Sequence, residues 1–350
     1  MKKFLKLFFL ISIFLLVGCG KKTDEDILKK LEKKLEDSSS YYLEGIMEIM
    51  NNEDTYTYEV KVSYQKQNYY RIELVNTLNN HEQVILRNDE GVYVITPSLN
   101  KSFKFQSDWP YNNSQVYLLN SVLADLLEDE ERKFKDTNNG ICIISNVNYP
   151  NNQLLVKQKV YFDNNDNITK VEVVDSNDNV QIVMKFNKQE YNKKFDKKHF
   201  ELSEFLNMSD NGRIDNEGDG DTDSSSNHNG SNTKTTATID DIIYPMYLPD
   251  NTYLTSQETL DTENGQRLIL TFGGDSSFVL VEEVVSHYND GLIIPVSGNF
   301  DFLNSVIGVI NSNSLSWHSN GIDYYLASDT MSTSELVNVA NSISVLPVSK

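Results

Sequence analysis

Thr55-Tyr56-Thr57-Tyr58-Glu59-Val60-Lys61-Val62-Ser63-Tyr64 decides the fold class. Every even position is apolar or aromatic, and every odd one is polar. A period of two belongs to a strand with one buried face, and such one-sided strands pair antiparallel. After a polar turn at Gln65 to Asn68 the pattern resumes, with Tyr70, Ile72 and Leu74 set against Arg71 and Glu73. Further strands are expected at Gln83 to Arg87 and Val92 to Thr96, split by the turn residues Asn88-Asp89-Glu90-Gly91. Pro97 closes this run, and Ser102 to Phe105 offers one more short strand.

Working back towards the start, Ile27, Leu28, Leu31 and Leu35 share one face of a predicted helix within residues 20–37. Asp24, Glu25 and Asp26 suit its N-terminus, where the helix dipole favours negative charge. Ahead of it, Met1 to Cys19 reads MKKFLKLFFLISIFLLVGC. Lys2, Lys3 and Lys6 precede an apolar run from Leu7 to Val17, the pattern of a secretory signal. The run is shorter than the ~20 residues that a membrane span needs. Leu16-Val17-Gly18-Cys19 resembles a bacterial lipobox, which implies a diacylglyceryl or acyl lipid (palmitate-type) on Cys19. The mature chain is then expected on the extracytoplasmic face of the cell membrane, held by its lipid anchor.

Working forward, Trp109-Pro110-Tyr111 makes a stiff aromatic loop. A helix is predicted from Ser114, with Val116, Leu119, Leu123, Leu126 and Leu127 inward and the acidic cluster Glu128 to Glu131 as its solvated end. Strands return over residues 139–187, where Leu154, Val156, Val160 and Phe162 alternate, as do Val180, Ile182, Met184 and Phe186. The loops Asp163 to Asn167 and Asp175 to Asn179 read as tight turns, because Asp and Asn bond their own backbone. Neither has the distal Glu of a calcium loop. Residues 207–237 form a polar linker with too little apolar surface to fold. Asp215, Glu217, Asp219, Asp221 and Asp223 suggest a calcium loop within it, but the twelfth position is Ser226. Residues 238–350 make a smaller second domain, with strands near Tyr253 to Glu258, Arg267 to Phe272, Phe278 to Glu283, Leu315 to Trp317 and Gly321 to Ala327. Ser332-Thr333-Ser334-Glu335 is a capping box that opens a last helix bearing Leu336, Val339, Ala340 and Ile343. The expected division is therefore 1–19 signal, 20–206 first domain, 207–237 linker and 238–350 second domain.

The formal net charge is −20, and losing Lys2, Lys3 and Lys6 with the signal makes it more negative. Such a chain lacks the basic patch that nucleic acid requires. Cys142, in the apolar run Ile141 to Ile144, is the one thiol besides Cys19, so no disulfide scaffold is expected. His81, His199, His228, His287 and His318 are scattered without metal-ligand spacing. No G-x-S-x-G elbow and no Gly-rich phosphate loop is present. Glu282 and Glu283 are neighbours on a strand and point to opposite faces. No enzyme, no metal and no cofactor beyond the Cys19 lipid is expected.

Asn68 to Leu74, Gln83 to Asn88, Gly91 to Phe105 and Ser107 to Asn112 carry a resemblance over residues 20–205. The chain there resembles the LolA/LolB/RseB superfamily of lipoprotein carriers and sensors, in the Gram-positive branch that includes the germination lipoprotein GerS. The resemblance implies an α+β fold: a LolA-like curved antiparallel half-barrel with covering helices, followed by a smaller α+β domain. It implies a concave face that binds a lipid, an acylated ligand or a lipoprotein. The alternative it implies is regulation through an envelope protein partner, either an anti-sigma factor or a peptidoglycan amidase, in sporulation or germination. Tyr247-Leu248-Pro249, Leu315-Ser316-Trp317 and Gly321 to Leu326 are similar to a domain of unknown function in Firmicute lipoproteins.

The candidate ligand or partner residues are Tyr56, Tyr58, Tyr64 and Tyr70 on the apolar stripe, Arg71 beside it, and Trp109 and Tyr111 at the cavity mouth. From the strand pattern Arg71 is a solvent-side or cross-strand charge partner, whereas the resemblance implies that it holds a helical lid. The tyrosine stripe is at once core and cavity wall, so the structure decides whether that cavity is filled.

Overall fold

The computed structural model describes residues 23–343 except 52, 53, 107, 111, 112, 209–238, 240, 241, 263, 264, 286 and 304. The signal, Cys19, Tyr111 and almost all of the expected linker lie outside the described residues.

Helix α1 (Asp24–Asp37) starts at Thr23, whose hydroxyl accepts from the Asp26 amide while the Asp26 carboxylate accepts from the Thr23 amide. Ile27, Leu28, Leu31 and Leu35 are its buried face, as their spacing requires. Then follow β1 (Ser40–Asn51), β2 (Asp54–Gln65), β3 (Tyr69–Asn76), β4 (Glu82–Asn88), β5 (Gly91–Thr96) and β6 (Lys101–Phe105). After helix α2 (Leu119–Glu128) come β7 (Lys133–Thr137), β8 (Gly140–Asn146), β9 (Lys157–Phe162), β10 (Ile168–Val174) and β11 (Val180–Tyr191). The second part of the chain adds β12 (Thr252–Thr262), β13 (Gly265–Gly274), β14 (Phe278–Val284), β15 (Leu292–Val296), β16 (Asn299–Leu303), β17 (Val306–Ile310), β18 (Ser314–Ser319), β19 (Ile322–Ala327) and helix α3 (Thr333–Asn341).

The large sheet has twelve strands in the order β15-β6-β5-β4-β3-β2-β1-β11-β10-β9-β8-β7. It is antiparallel throughout, except that β15 runs parallel to β6. It is the expected antiparallel half-barrel with covering helices: α1 and α2 sit on one face of the sheet in a single core with residues of β1 to β6 and β8 to β11. Bulges help it to curl, since the extra residue bends and twists its strand. The unpaired residues are Asn187 and Gln181 on β11, the first facing Glu44 and Gly45 of β1, and Thr169 on β10. A Cβ at Gly45 would collide with the Lys185 carbonyl, so this bulge needs glycine.

Three local expectations fail. The second helix begins at Leu119 rather than Ser114, because Ser114 is zipped to the β8–β9 loop: its hydroxyl accepts from the Asn148 amide at 2.7 Å, and its amide donates to the Asn148 carbonyl at 2.9 Å. Leu127, expected inward, is 42 % exposed, since the buried stripe runs through Leu119, Val122, Leu123 and Leu126 and the next residue turns away from it. Leu154 is 69 % exposed in a turn, and Leu155 is buried in its place. Asp163 and Asp175 each accept two amides of their own turns through Oδ1, the Asx geometry that their sequences predict. Cys142 is buried, and burial pushes its thiol up.

The second sheet has seven strands, ordered β12-β13-β14-β19-β18-β17-β16, and packs against α3. Ser332 and Glu335 form the predicted capping box. In the second part of the chain three strands escaped the sequence pattern, β15, β16 and β17, and these are the ones that reach the first sheet.

Glu282 lies on the core face of β14 and is 0 % exposed. Burial pushes its carboxyl up to about 7, and the Ile243 backbone opposes this. The folded protein therefore binds a proton that the unfolded chain has lost above pH ~4.5, and stability falls as pH rises through that window to 7. Glu282→Gln is expected to be more stable than the parent at pH 8 by roughly 2 kcal/mol, with the gap closing at pH 4.5. Urea unfolding at the two pH values measures this, and an equal gap at both would refute it.

Candidate functional site: the concave face and the hairpin that fills it

The even residues of β2 and β3 face the helices, as their alternation dictates. Tyr58 and Tyr70 are buried, and Tyr56 and Tyr64 are half-buried. A chain of rings crosses this face. Tyr41 stacks on Tyr64 at 4.8 Å, Tyr64 meets Tyr70 at 5.0 Å, and Tyr70 meets Trp109 edge-on at 5.7 Å. Trp109 then meets Phe300 of β16 at 5.5 Å, and Phe300 meets Phe105 of β6 at 5.0 Å. Phe302 meets Tyr58 edge-on at 5.9 Å. Each such pair contributes ~0.5–1.5 kcal/mol beyond its area. Burial also pushes the Tyr41, Tyr58 and Tyr70 phenols up, away from ionisation. Arg87 carries the Trp109 loop, donating to the Asp108 carbonyl at 3.0 Å and to that of Trp109.

The β16–β17 hairpin thus occupies the concave face. Ile307 and Val309 of β17 belong to the same core as α1, α2 and the first sheet, and Phe300 and Phe302 pack against it. Walls of an open cavity keep accessible surface, yet Val62 and Ile72 at the centre of the stripe are 0 % exposed. The stripe is filled by the chain itself.

Polar groups clasp the hairpin in place. The Gln83 side chain pairs with the Ile307 backbone as a strand would: Nε2 donates to the carbonyl at 2.9 Å and Oε1 accepts from the amide at 2.6 Å. Asn100 is buried with φ 55°, a left-handed conformation that Asn tolerates. It donates to the Tyr288 carbonyl at 2.9 Å and accepts from the Asn207 amide at 2.8 Å, tying three segments together. Lys101 Nζ lies 2.6 Å from Asp323 Oδ2, and Asp323 Oδ1 lies 3.0 Å from His318 Nδ1. Burial pushes the Asp323 carboxyl up, but the His318 hydrogen bond and Lys101 outweigh it and hold the group below the usual range.

The His81 and His318 rings stand 5.8 Å apart across this junction. Burial first, and His318 second, push His81 down to about 4. The unfolded chain takes up that proton near pH 6.5, so this contribution to stability is complete above 6.5 and is lost as pH falls to 4. His81→Leu is expected to lose part of the acid sensitivity between pH 6.5 and 4, read as a flatter profile of melting temperature against pH. An unchanged profile would refute the assignment.

Arg71 is on the other face, because odd residues of β3 point outward. Its Nε bonds Glu73 Oε1 at 2.6 Å, and its Nη1 donates to the His199 carbonyl at 3.2 Å. Its guanidinium stacks over Phe205 at 4.4 Å. His199 in turn bonds Ser63 Oγ at 2.9 Å, and burial together with Arg71 pushes it down to about 4. Arg71 therefore holds the segment 195–206 against the outside of β3 to β5, where Phe200, Leu202 and Leu206 pack on Val84, Leu86, Tyr93 and Ile95. This corrects the helical-lid role: the helices lie on the opposite face, beyond its reach. The same segment explains why Ser63, an outward residue, is buried.

Of the expected site residues, the structure joins Tyr64, Tyr70 and Trp109 in one ring chain, pairs Tyr58 with Phe302, leaves Tyr56 at the margin and puts Arg71 behind the sheet. Sequence reasoning missed Gln83, Asn100, Lys101, Phe300, Phe302 and Asp323. Asn299-Phe300-Asp301-Phe302-Leu303 does alternate, a signal too short to stand out. Among the described residues, no group of three or more His, Cys, Asp or Glu is placed to hold a metal.

Residues 1–200 match the family described as "Sporulation protein YdcC-like". The chain is 34 % identical over 338 residues to "Sporulation protein YdcC" of Bacillus subtilis (strain 168), covering 95 % of this chain and 94 % of that one. Among solved structures it is similar to the MucA/MucB complex of Pseudomonas aeruginosa, with 12 % identity, 91 % of this chain and 96 % of that chain covered, and a TM-score of 0.32. It is also similar to a chain in the structure of the CwlD amidase from Clostridioides difficile in complex with the GerS lipoprotein, with 19 % identity, 50 % of this chain and 99 % of that chain covered, and a TM-score of 0.30. On the match over residues 1–200 and the near full-length relative, the chain belongs to the sporulation protein YdcC-like family.

Proposed function

We propose that this is a lipid-anchored extracytoplasmic binding protein of the sporulating cell, which docks an envelope protein instead of carrying an acyl chain. The occupied concave face carries the choice: Phe300, Phe302, Ile307 and Val309 stand where a carrier would keep room for its cargo. The B. subtilis relative supports the sporulation setting. The secretory signal and the lipobox ending at Cys19 support the anchor and the side of the membrane. Binding without catalysis agrees with how the titratable groups are used. His81, His318, Asp323 and Lys101 clasp the two sheets together, and His199 and Arg71 hold the outer segment. An anti-sigma factor and a peptidoglycan amidase are the two partner classes that the sequence resemblance implies.

Native mass spectrometry tests this on the protein extracted gently from membranes beside a version that starts after Cys19. The first is expected to carry a covalent lipid, and the second to show its bare polypeptide mass. Non-covalent lipid mass on the second would return the protein to the carriers.

A further inference from the structure

The two sheets have four edge strands, and an unguarded edge is a template for another chain. Three are guarded. β7 is five residues long and presents Lys133 and Lys135. β15 is five residues long and contains Pro295, which has no amide hydrogen to offer. β16 is five residues long, and its two Phe side chains are packed in the first core.

β12 is different. It has eleven residues, pairs among the described residues with β13 alone, and is exposed along nearly all its length. It carries no Lys, Arg or Pro, and Tyr253 and Leu260 are 62 % and 46 % exposed. One bulge near its start, at Thr255, leaves Ser256 to Thr262 in regular register with β13. Tyr244 braces it from the side, its hydroxyl donating to Gln257 Oε1 at 2.7 Å.

Charge selects the occupant. Over residues 239–343 Arg267 is the one Lys or Arg against fourteen Asp and Glu, and it is paired with Glu283 at 2.8 Å. Glu258 and Asp261 project from β12 itself. A second copy would bring the same acidic surface and be repelled. The chain's own linker, with Asp215, Glu217, Asp219, Asp221 and Asp223, is acidic too. A segment with Lys or Arg on alternate residues meets both demands, pairing its backbone with β12 and its charges with Glu258 on one face of the sheet or, in the other register, with Asp261 on the opposite face.

We propose that β12 is the docking edge for an extended basic segment of a protein partner, which adds to the second sheet as a further strand. This rests on the partner-docking reading, and it adds the place and the chemistry of recognition.

The probe is a fluorescein-labelled ten-residue peptide of alternating Lys and Val, with a Glu and Val peptide as control, against the chain starting after Cys19. The Lys peptide is expected to bind saturably, more weakly as salt rises, and to slow amide exchange within residues 252–262. Glu258→Lys with Asp261→Lys is expected to weaken it about tenfold or more. Successive amides of a strand point to opposite sides, so of Gln257→Pro and Glu258→Pro one breaks the β13 ladder and the other blocks the free edge. The variant that keeps the parent's unfolding curve is expected to lose the peptide. No binding, equal binding of both peptides, protection outside β12, or protection that tracks dimer formation by sedimentation would each overturn the assignment. The lipid-mass measurement reports on partner docking separately, so the two failures are distinguishable.

Discussion

Phe300→Ala with Phe302→Ala is expected to open the concave face and to lower stability by about 4–7 kcal/mol. Full burial of a Phe makes its truncation cost ~3–5 kcal/mol, and these two are partly exposed and share one hairpin, so their sum falls short of twice that. The rings lost are those that touch Trp109, Phe105 and Tyr58. Removing them leaves a void lined by aromatic residues, the kind of dry site that apolar ligands enter. The double variant is therefore expected to bind a fluorescent acyl probe that the parent refuses. Urea unfolding followed by tryptophan fluorescence gives the stability, and probe titration gives the gain. Equal probe uptake by parent and variant would show that the hairpin does not close the face.

Gln83→Ala is expected to cost about 2–4 kcal/mol, more than an average loss of hydrogen bonds, because it strands two buried groups. The Ile307 amide and carbonyl both depend on that one side-chain amide. Gln83→Glu separates donor from acceptor: it keeps an oxygen for the Ile307 amide but faces the carbonyl with another oxygen, so at neutral pH it should be at least as damaging. The readout is the urea midpoint, together with faster amide exchange in β17. Loss confined to less than about 0.5 kcal/mol would mean that water or a rearranged backbone replaces the pair.

How much of this the sequence displays depends on whether a strand has one wet face. β2 and β3 do, and their alternation names Tyr58, Val60, Val62, Tyr70, Ile72 and Leu74 as inward without any structure. Leu292-Ile293-Ile294-Pro295-Val296 and Val306-Ile307-Gly308-Val309-Ile310 do not alternate, because neighbours cover both sides of β17 and β15 joins a foreign sheet. An unbroken apolar run gives no period from which to read a strand. Their partners are also far away in the chain: Gln83 and Ile307 are separated by 224 residues. Arg71 is an instructive case. Its odd position in the alternation puts it outside the barrel, which is where it is, whereas the lid role implied by resemblance needed it inside. The segment 195–206 was invisible for another reason: its short 3-10 turns bury Phe200, Leu202 and Leu206 without any regular period.

A hairpin from the second sheet fills the concave face of the first. The chain has two tryptophans, Trp109 on that face and Trp317 in the second core, so their indole signals are simple to assign. The measurement is a nuclear Overhauser spectrum of protein labelled at Trp and Phe, with Phe300→Leu as the assignment control. A cross-peak between the Trp109 indole and a Phe ring, lost in Phe300→Leu, is the predicted result, since those rings lie 5.5 Å apart between centroids. A Trp109 indole that shows no contact with Phe300, and that shifts when an acyl probe is added, would contradict the account.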